Sequence, residues 1–445
     1  MSIVTKVAAA LQQLFDENVE LANEASRVIQ RTRKFTAVSL GETFVLGFLQ
    51  NPKASDEDLA QMAAQCGASV TPQAIDQRHT PALVKFLETL FREAVKVVVG
   101  DDKTLAPILE RFTSVIVLDS STITLPDEMQ DRFPGCGGSY GGGKAALKLQ
   151  TELNLRGGAL SHVEIEPGRS PDNASSRKDA RHGPGSLRIA DLGYFDVAMF
   201  SEMASAGEYF LSRLHFGVIV GLSDAPDAPE VDLMSWLAQQ GPGFVDRQIW
   251  LSKKQKLPCR LIAWRLPPEQ ANRCRQNLRK EALRKRGKEP TAARLAWCDW
   301  TILVTNVPTE MMTPPEAVIL YRARWQVELL FKRWKSQGLV AVLSGSTPVR
   351  QMVRLWSRLI AAVLQHWLLV GSVWGDPTKS WSKVCEAVRK FVGRIIVALP
   401  CRSVLEGVLM DLRRTVEKTC RRNKRTKPGT FELLNNVQLL DFGLT

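Results

Sequence analysis

Apolar positions recur at helical spacing through residues 1–105. Val7, Leu11, Leu14 and Phe15 share one face of a first helix. Leu83, Phe86, Leu87, Leu90, Phe91 and Ala94 share one face of a later helix. Between them, Ser55-x-x-Asp58 has the form of a capping box ahead of Leu59, Met62 and Ala63, and Gly67 ends that segment. Thr71-Pro72 opens a second short helix, with Thr as N-cap and Pro in the first turn. A helix, a glycine turn and a helix across 55–79 make the pattern of a helix-turn-helix. Its second helix offers Gln73, Gln77 and Arg78 to base edges or phosphates.

The texture changes at Ser114. Val115–Leu118 is wholly apolar and delivers Asp119 at its end, as a buried central strand would. Leu147, Leu149, Thr151, Leu153 and Leu155 alternate with Lys148, Gln150, Glu152 and Asn154, which is the period-two pattern of a strand. Gly157-Gly158 turns the chain, and Ser161, Val163 and Ile165 alternate back to complete a hairpin. Leu187–Ala190 is a further short strand ending on Asp191. Two acids at neighbouring strand ends of one sheet can face one cleft. From 216 to 305 the pattern is mixed, with strands at 244–251, 259–266 and 300–305 and a basic helix at 270–288. Beyond Pro314 the chain is helical again. The stretch Leu359–Val373, broken by Gln365 and His366, predicts a buried helix. No apolar run reaches the roughly 20 residues that span a bilayer.

Composition narrows the partners more than the fold. With 445 residues, 44% of them hydrophobic, the chain has room for two or three cores. The net charge of +13 favours a polyanion, and the charge is clustered. Between Arg413 and Lys427 eight basic residues face one acid, and Arg273–Lys288 is similarly rich. The eight cysteines form no CxxC pair and have no nearby histidine, so neither a zinc site nor a disulfide framework is expected. The first 20 residues put acids where a signal peptide has its apolar core, which predicts a cytoplasmic protein without a membrane partner. Gly138-x4-Gly143-Lys144 has the look of a nucleotide-binding loop. Ala145, however, replaces the hydroxyl that would hold magnesium, and a strand follows it instead of a helix. Nucleotide binding is not expected.

The most specific local signal is YRARWQVELLFKRWK, residues 321–335. On one continuous helix, Tyr321, Arg324, Glu328 and Lys335 fall in a stripe about 60° wide. Val327, Leu330, Phe331 and Trp334 lie on another face, free to pack on a sheet. A carboxylate flanked by two cations and a phenol suits a metal site beside a phosphate backbone. The same residues also permit a plain i,i+4 ion pair, Arg324 with Glu328, on a solvated helix.

The spacing Tyr-x2-Arg-x3-Glu-x6-Lys resembles the signature of bacterial insertion-sequence transposases of the DDE class, in particular the large fourth insertion-sequence family. LDSSTITLP around Asp119 looks like that family's first-aspartate strand, and ADLGYFD around Asp191 is similar to its second motif. Gly168 and Asp172 in PGRSPDNA, YFLSR at 209–213 and WTILVTNVP at 300–308 also resemble family segments. Together these cover roughly 115 to 340.

The resemblance implies an α/β fold: an RNase H-like catalytic core with a β-rich insertion domain, plus helical N-terminal and C-terminal regions. The corresponding ranges are 1–105 for a helical DNA-binding domain, 106–215 and 306–375 for the core, 216–305 for the insertion and 376–445 for a helical region with a basic tail. It implies Asp119, Asp191 and Glu328 as catalytic metal ligands, although Asp172 and Asp196 compete with Asp191 for its place. Three carboxylates in one cleft need cations, and hard oxygen ligands select two Mg²⁺, with Mn²⁺ as a substitute. Tyr321, Arg324 and Lys335 occupy positions that contact phosphates of the cleaved end. Trp300 stands where hairpin-forming relatives stack a flipped base, and a Trp packed in a strand end is its bland alternative. The implied partners are double-stranded transposon ends and target DNA, bound by a homodimer in a synaptic complex at the nucleoid. A non-catalytic DNA-binding regulator descended from a transposase is the alternative. The three acids, kept together with the helix signature, argue against it.

Overall fold

The structure is a computed structural model, and it describes residues 1–137, 143–175, 177–223, 225, 227–340, 347–423 and 427–439. Gly138 of the nucleotide-loop look-alike and Lys424 and Arg425 of the C-terminal basic run lie outside these described residues. Among the described residues nine strands are defined: β1 Val115–Leu125, β2 Ala145–Asn154, β3 Leu160–Pro167, β4 Leu187–Ala190, β5 Tyr209–Arg213, β6 Val220–Gly221, β7 Phe244–Leu251, β8 Leu257–Arg265 and β9 Trp300–Thr305. The chain divides into two units. One comprises Met1–Leu105, Asp119–Ser170 and Gln326–Thr426, and the other Ala106–Leu118, Pro171–Trp325 and Lys427–Thr445. Both β1 and the helix Trp325–Ser336 pass from one unit into the other.

In the second unit the apolar start of β1 does what its composition predicts. Val115–Leu118 is fully buried and pairs in parallel with Leu187–Ala190 of β4. Next, β4 pairs in parallel with β5, and β5 turns the sheet antiparallel against β9. Strands β8, β7 and β6 then follow in antiparallel order. The inserted strands thus extend the same sheet through β9 rather than building a separate one. Their core holds Phe210, Ile249, Leu261, Trp300 and Val304. A buried arginine closes its edge. Arg260 donates to Asp246 at 2.6 and 3.2 Å, and to the carbonyls of Val307 and Met312 at 2.7 and 3.0 Å. With its charge paired and most of its fork satisfied, it escapes the penalty of an isolated buried cation.

In the first unit β2 and β3 form the expected antiparallel hairpin. Lys148, Gln150 and Glu152, the polar positions of the β2 alternation, are all buried. Lys148 donates to the Ser170 carbonyl, and Gln150 donates to Glu166 at 3.3 Å. Period two marks two distinct faces, and here both are covered. The strand order β3-β2-β1 on one side of β1, and β1-β4-β5 on the other, is that of an RNase H-like core.

The helices of this unit pack around Pro348–Val373. From Leu355 to Val373 every residue of that helix is buried, Arg358, Gln365 and His366 included. It packs against Ile3–Gln13, Ala37–Gln50, Pro81–Ala94 and Arg402–Thr419. His366, within it, makes a 2.7 Å hydrogen bond from Nε2 to the carbonyl of Gly158 in the hairpin turn. Burial pushes that imidazole down to about 4, so it is neutral and Nε2 carries the donated proton. Gly158 has φ of +77°, and a Cβ there would meet the Trp374 ring at 2.3 Å, so only glycine fits.

Candidate active site

Asp119 does not end its strand. The strand continues through Leu125, because SSTITL is rich in β-branched residues and has no turn former before Pro126. The half-buried Asp119 accepts a hydrogen bond from its neighbour's backbone, Ser120 N, at 2.8 Å. Register matters more. Leu118 and Ala190 are partners in the parallel β1–β4 pair, and Asp119 and Asp191 are each the next residue along.

Asp191 opens a tight turn, Leu192–Tyr194. Tyr194 is buried against Leu118 and Ala190, and its hydroxyl donates to Asp172 at 3.5 Å. A Cβ on Gly193 would meet Asp172 Oδ2 at 3.1 Å, so glycine here lets the Asp172 turn close on the Asp191 turn. The two competing aspartates have other contacts. Asp172 receives Tyr194, while Asp196 caps the helix Val197–Ser205 through the backbone N–H groups of Ala198 and Met199, and pairs with Lys178 at 2.6 Å. Asp191 keeps 48% of its side chain exposed, and Arg324 Nη2 approaches its Oδ1 at 3.6 Å. The Arg324 side chain is only 9% exposed, with its guanidinium 5.6 Å from the Trp325 ring centroid. Tyr321 completes this side. Burial, reinforced by the charge of Asp191, pushes its phenol up to about 12, so it remains a neutral donor.

The continuous helix predicted across 321–335 is broken. It runs as Pro314–Ala323 and Trp325–Ser336, with Arg324 at the joint. Arg324 N bonds to Tyr321 O at 3.2 Å, an i to i+3 hydrogen bond that tightens the turn. Tyr321 and Arg324 therefore sit at the end of one segment, and Glu328 and Lys335 on the next. The second segment buries Gln326, Val327, Leu330, Phe331 and Trp334, the apolar face expected, and leaves Glu328 half-buried. Lys335 donates from Nζ to the carbonyl of Thr122 on β1 at 3.1 Å. This bond ties the Glu328 helix to the strand carrying Asp119. The family model for the transposase DDE domain matches residues 110–364, more than half of the chain.

The chain belongs to the DDE transposases. It is 26% identical over 362 residues to the transposase for insertion sequence element IS231E of Bacillus thuringiensis subsp. finitimus, covering 76% of this chain and 73% of the relative. Against the transposase for IS1151 of Clostridium perfringens, identity is 25% over 482 residues, covering 99% and 98%. A putative transposase, InsL, for IS186A of Escherichia coli (strain K12) is 35% identical over 234 residues, covering 50% of this chain and 61% of the relative. A structure of the piggyBac transposase synaptic complex with hairpin DNA aligns with a TM-score of 0.43 at 8% identity, covering 94% of this chain and 86% of that one. The transposase is thus an insertion-sequence DDE enzyme, of a class that cuts and joins DNA with divalent metal ions.

The acids that the resemblance implies as ligands, Asp119, Asp191 and Glu328, are each of the chemical kind that binds such ions. All three are hard oxygen ligands and none is fully buried. The group whose ligand atoms are gathered is a different one. Asp56, Asp76 and His79 bring ligand atoms within 4.8 Å of one another, the one such group of three among the described residues. Arg350 reaches both of its carboxylates, so a cation there would meet a resident positive charge. Sequence spacing gives no hint of this group, because Arg350 joins it from a distant helix.

The other expected DNA residues are dispersed. Gln73 and Gln77 are exposed on or beside the short helix Pro72–Asp76. Arg78 is half-buried, 5.5 Å from the Phe35 ring centroid. Trp300 begins β9 inside the core at 4% exposure, with Arg265 5.6 Å from its ring centroid. No helix among the described residues is long and apolar enough to cross a membrane.

Proposed function

We propose that the transposase uses Asp119, Asp191 and Glu328 to hold two Mg²⁺ ions, with Mn²⁺ able to replace them, and cleaves both ends of its element. The observation that carries this reading is the register: the first two acids each stand one step beyond the paired Leu118 and Ala190. Glu328 is supported by the bond from Lys335, on its own helix, to Thr122 of β1. Bound there, the ions would neutralise the three carboxylates and polarise the scissile phosphate for in-line displacement. The chain's own residues do the rest. Tyr321 and Arg324 hold the phosphate flanking the cut, and Lys335 exchanges the Thr122 carbonyl for a phosphate oxygen when DNA arrives. Water attacks phosphorus and releases a proton to solvent as the P–O3′ bond breaks, and the freed 3′-OH then attacks a phosphodiester of target DNA, displacing the 3′-oxygen of the target strand. Gln73, Gln77 and Arg78 bind the terminal repeats, and two chains pair two ends at the nucleoid. Trp300 serves a flipped base only after leaving its core. Incubation with Mg²⁺ and DNA flanking the gene tests this proposal: wild type should nick that DNA, and Glu328→Ala should bind it uncut. Equal cutting by both proteins would exclude Glu328 from the site.

A further inference from the structure

The helix Pro268–Arg286 leaves the sheet between β8 and β9, and its burial pattern is unlike any other long helix here. Over 19 residues, about 28 Å, Ala271 is the only residue buried among those described. Ala271, Cys274, Arg275, Leu278 and Ala282 are the residues at least half-buried. At about 100° per residue they occupy one face roughly 100° wide, which is the attachment face. Around the opposite side come Arg273, Gln276, Asn277, Lys280 and Arg284, all exposed. Within that side Arg273, Lys280 and Arg284 align to within about 40° and span about 16 Å along the axis.

Three other cations of this helix are engaged. Arg275 pairs with Asp299, Arg279 with Glu289 at 3.5 Å and Lys285 with Glu281 at 2.6 Å. Arg273, Lys280 and Arg284 make no ion pair among the described residues. Glu269, in the first turn, is the one acid of the helix on their side. A polar helix that buries so little gains almost nothing from the hydrophobic effect, so its exposed charge needs another reason. A cationic row interleaved with amides complements the anionic repeat of duplex DNA. At 3.4 Å per base pair on each strand, the row spans about five steps.

We propose that the Arg273–Lys280–Arg284 stripe is a phosphate-tracking arm for duplex DNA, acting without regard to sequence and separate from the three catalytic carboxylates. This deepens the DNA-transposition reading and rests on it. The arm adds counterion-release affinity and leaves sequence reading to other residues.

The test is equilibrium binding of the full chain to a short duplex lacking the element's terminal repeats, across a salt series. The triple variant Arg273→Gln, Lys280→Gln, Arg284→Gln should bind at least about tenfold more weakly near 0.1 M salt. Its log–log salt slope should fall by about 2.7, near 0.9 for each phosphate left without its cation. Arg273→Lys with Arg284→Lys should restore both, since charge carries the effect, and thermal melts should match wild type. An unchanged slope in the triple variant overturns the arm while leaving transposition standing. Loss of binding to polyglutamate, with duplex binding intact, overturns it in favour of an acidic protein partner. If wild type binds no duplex DNA at all, both the arm and the function it rests on fail.

Discussion

The helices Pro348–Val373 and Pro268–Arg286 are both long, and they use their side chains in opposite ways. The first buries every residue from Leu355 onward and organises the helices around it. The second buries almost nothing and turns a cationic row to solvent. The same distinction separates the aspartates near the site. Asp196 caps a helix and pairs with Lys178. Asp191, five residues earlier, keeps nearly half its side chain exposed beside Arg324. Residues committed to the fold and residues left for chemistry differ less in type than in what already satisfies them.

Substitutions can break or sharpen this contrast. Ile360 is fully buried in the first helix, and Ile360→Ala should cost about 2–5 kcal/mol in denaturant unfolding. Leu283 on the basic helix is 51% exposed, and Leu283→Ala should stay within about 0.5 kcal/mol. Equal costs for the two would erase the difference between the helices.

Glu42, buried in Ala37–Gln50, gives a pH-dependent version of the same test. Burial pushes its carboxyl up from 4.5 to about 7. Folded protein then holds this proton where unfolded chain has released it, so stability falls as pH rises from about 4.5 towards 7. Glu42→Gln should flatten that fall and stabilise the protein above pH 7 by roughly 3 kcal/mol at most. A wild-type stability curve that rises through this window, with the variant's unchanged in shape, would exclude a protonated Glu42. A smaller loss than that at Ile360 belongs to Asp196. Asp196→Ala removes a cap and should lower stability by about 0.5–2 kcal/mol, with the folded fraction still able to cut DNA.

Much of this was legible in the chain because it rests on local rules. The burial of Val115–Leu118, the hairpin at Gly157-Gly158, the caps at Ser55 and Thr71 and the buried helix through Leu359–Val373 follow from periodicity and capping chemistry. What escaped depends on distant partners. The polar residues of β2 are buried because other segments cover both faces of the strand. The helix through Tyr321 and Glu328 breaks at Arg324, which sits beside Asp191 from a remote part of the chain. Trp300 lies in a core assembled from β5, β8 and β9, so its position in sequence said nothing of its exposure. The competition among Asp172, Asp191 and Asp196 could be weighed only once Tyr194, Lys178 and Arg324 had places.

The central claim is that Asp119, Asp191 and Glu328 together hold the catalytic ions. It is tested most directly by the Mg²⁺-dependent nicking rate on end-bearing DNA for wild type, Asp119→Asn, Asp191→Asn, Glu328→Gln and Asp196→Asn. Each of the first three variants should lose at least about 100-fold while still binding the DNA, a loss on the scale of removing a transition-state interaction. Asp196→Asn should stay within about threefold of wild type once corrected for folded protein. An Asp191→Asn variant that cuts normally, beside an inactive and folded Asp196→Asn, would contradict the account.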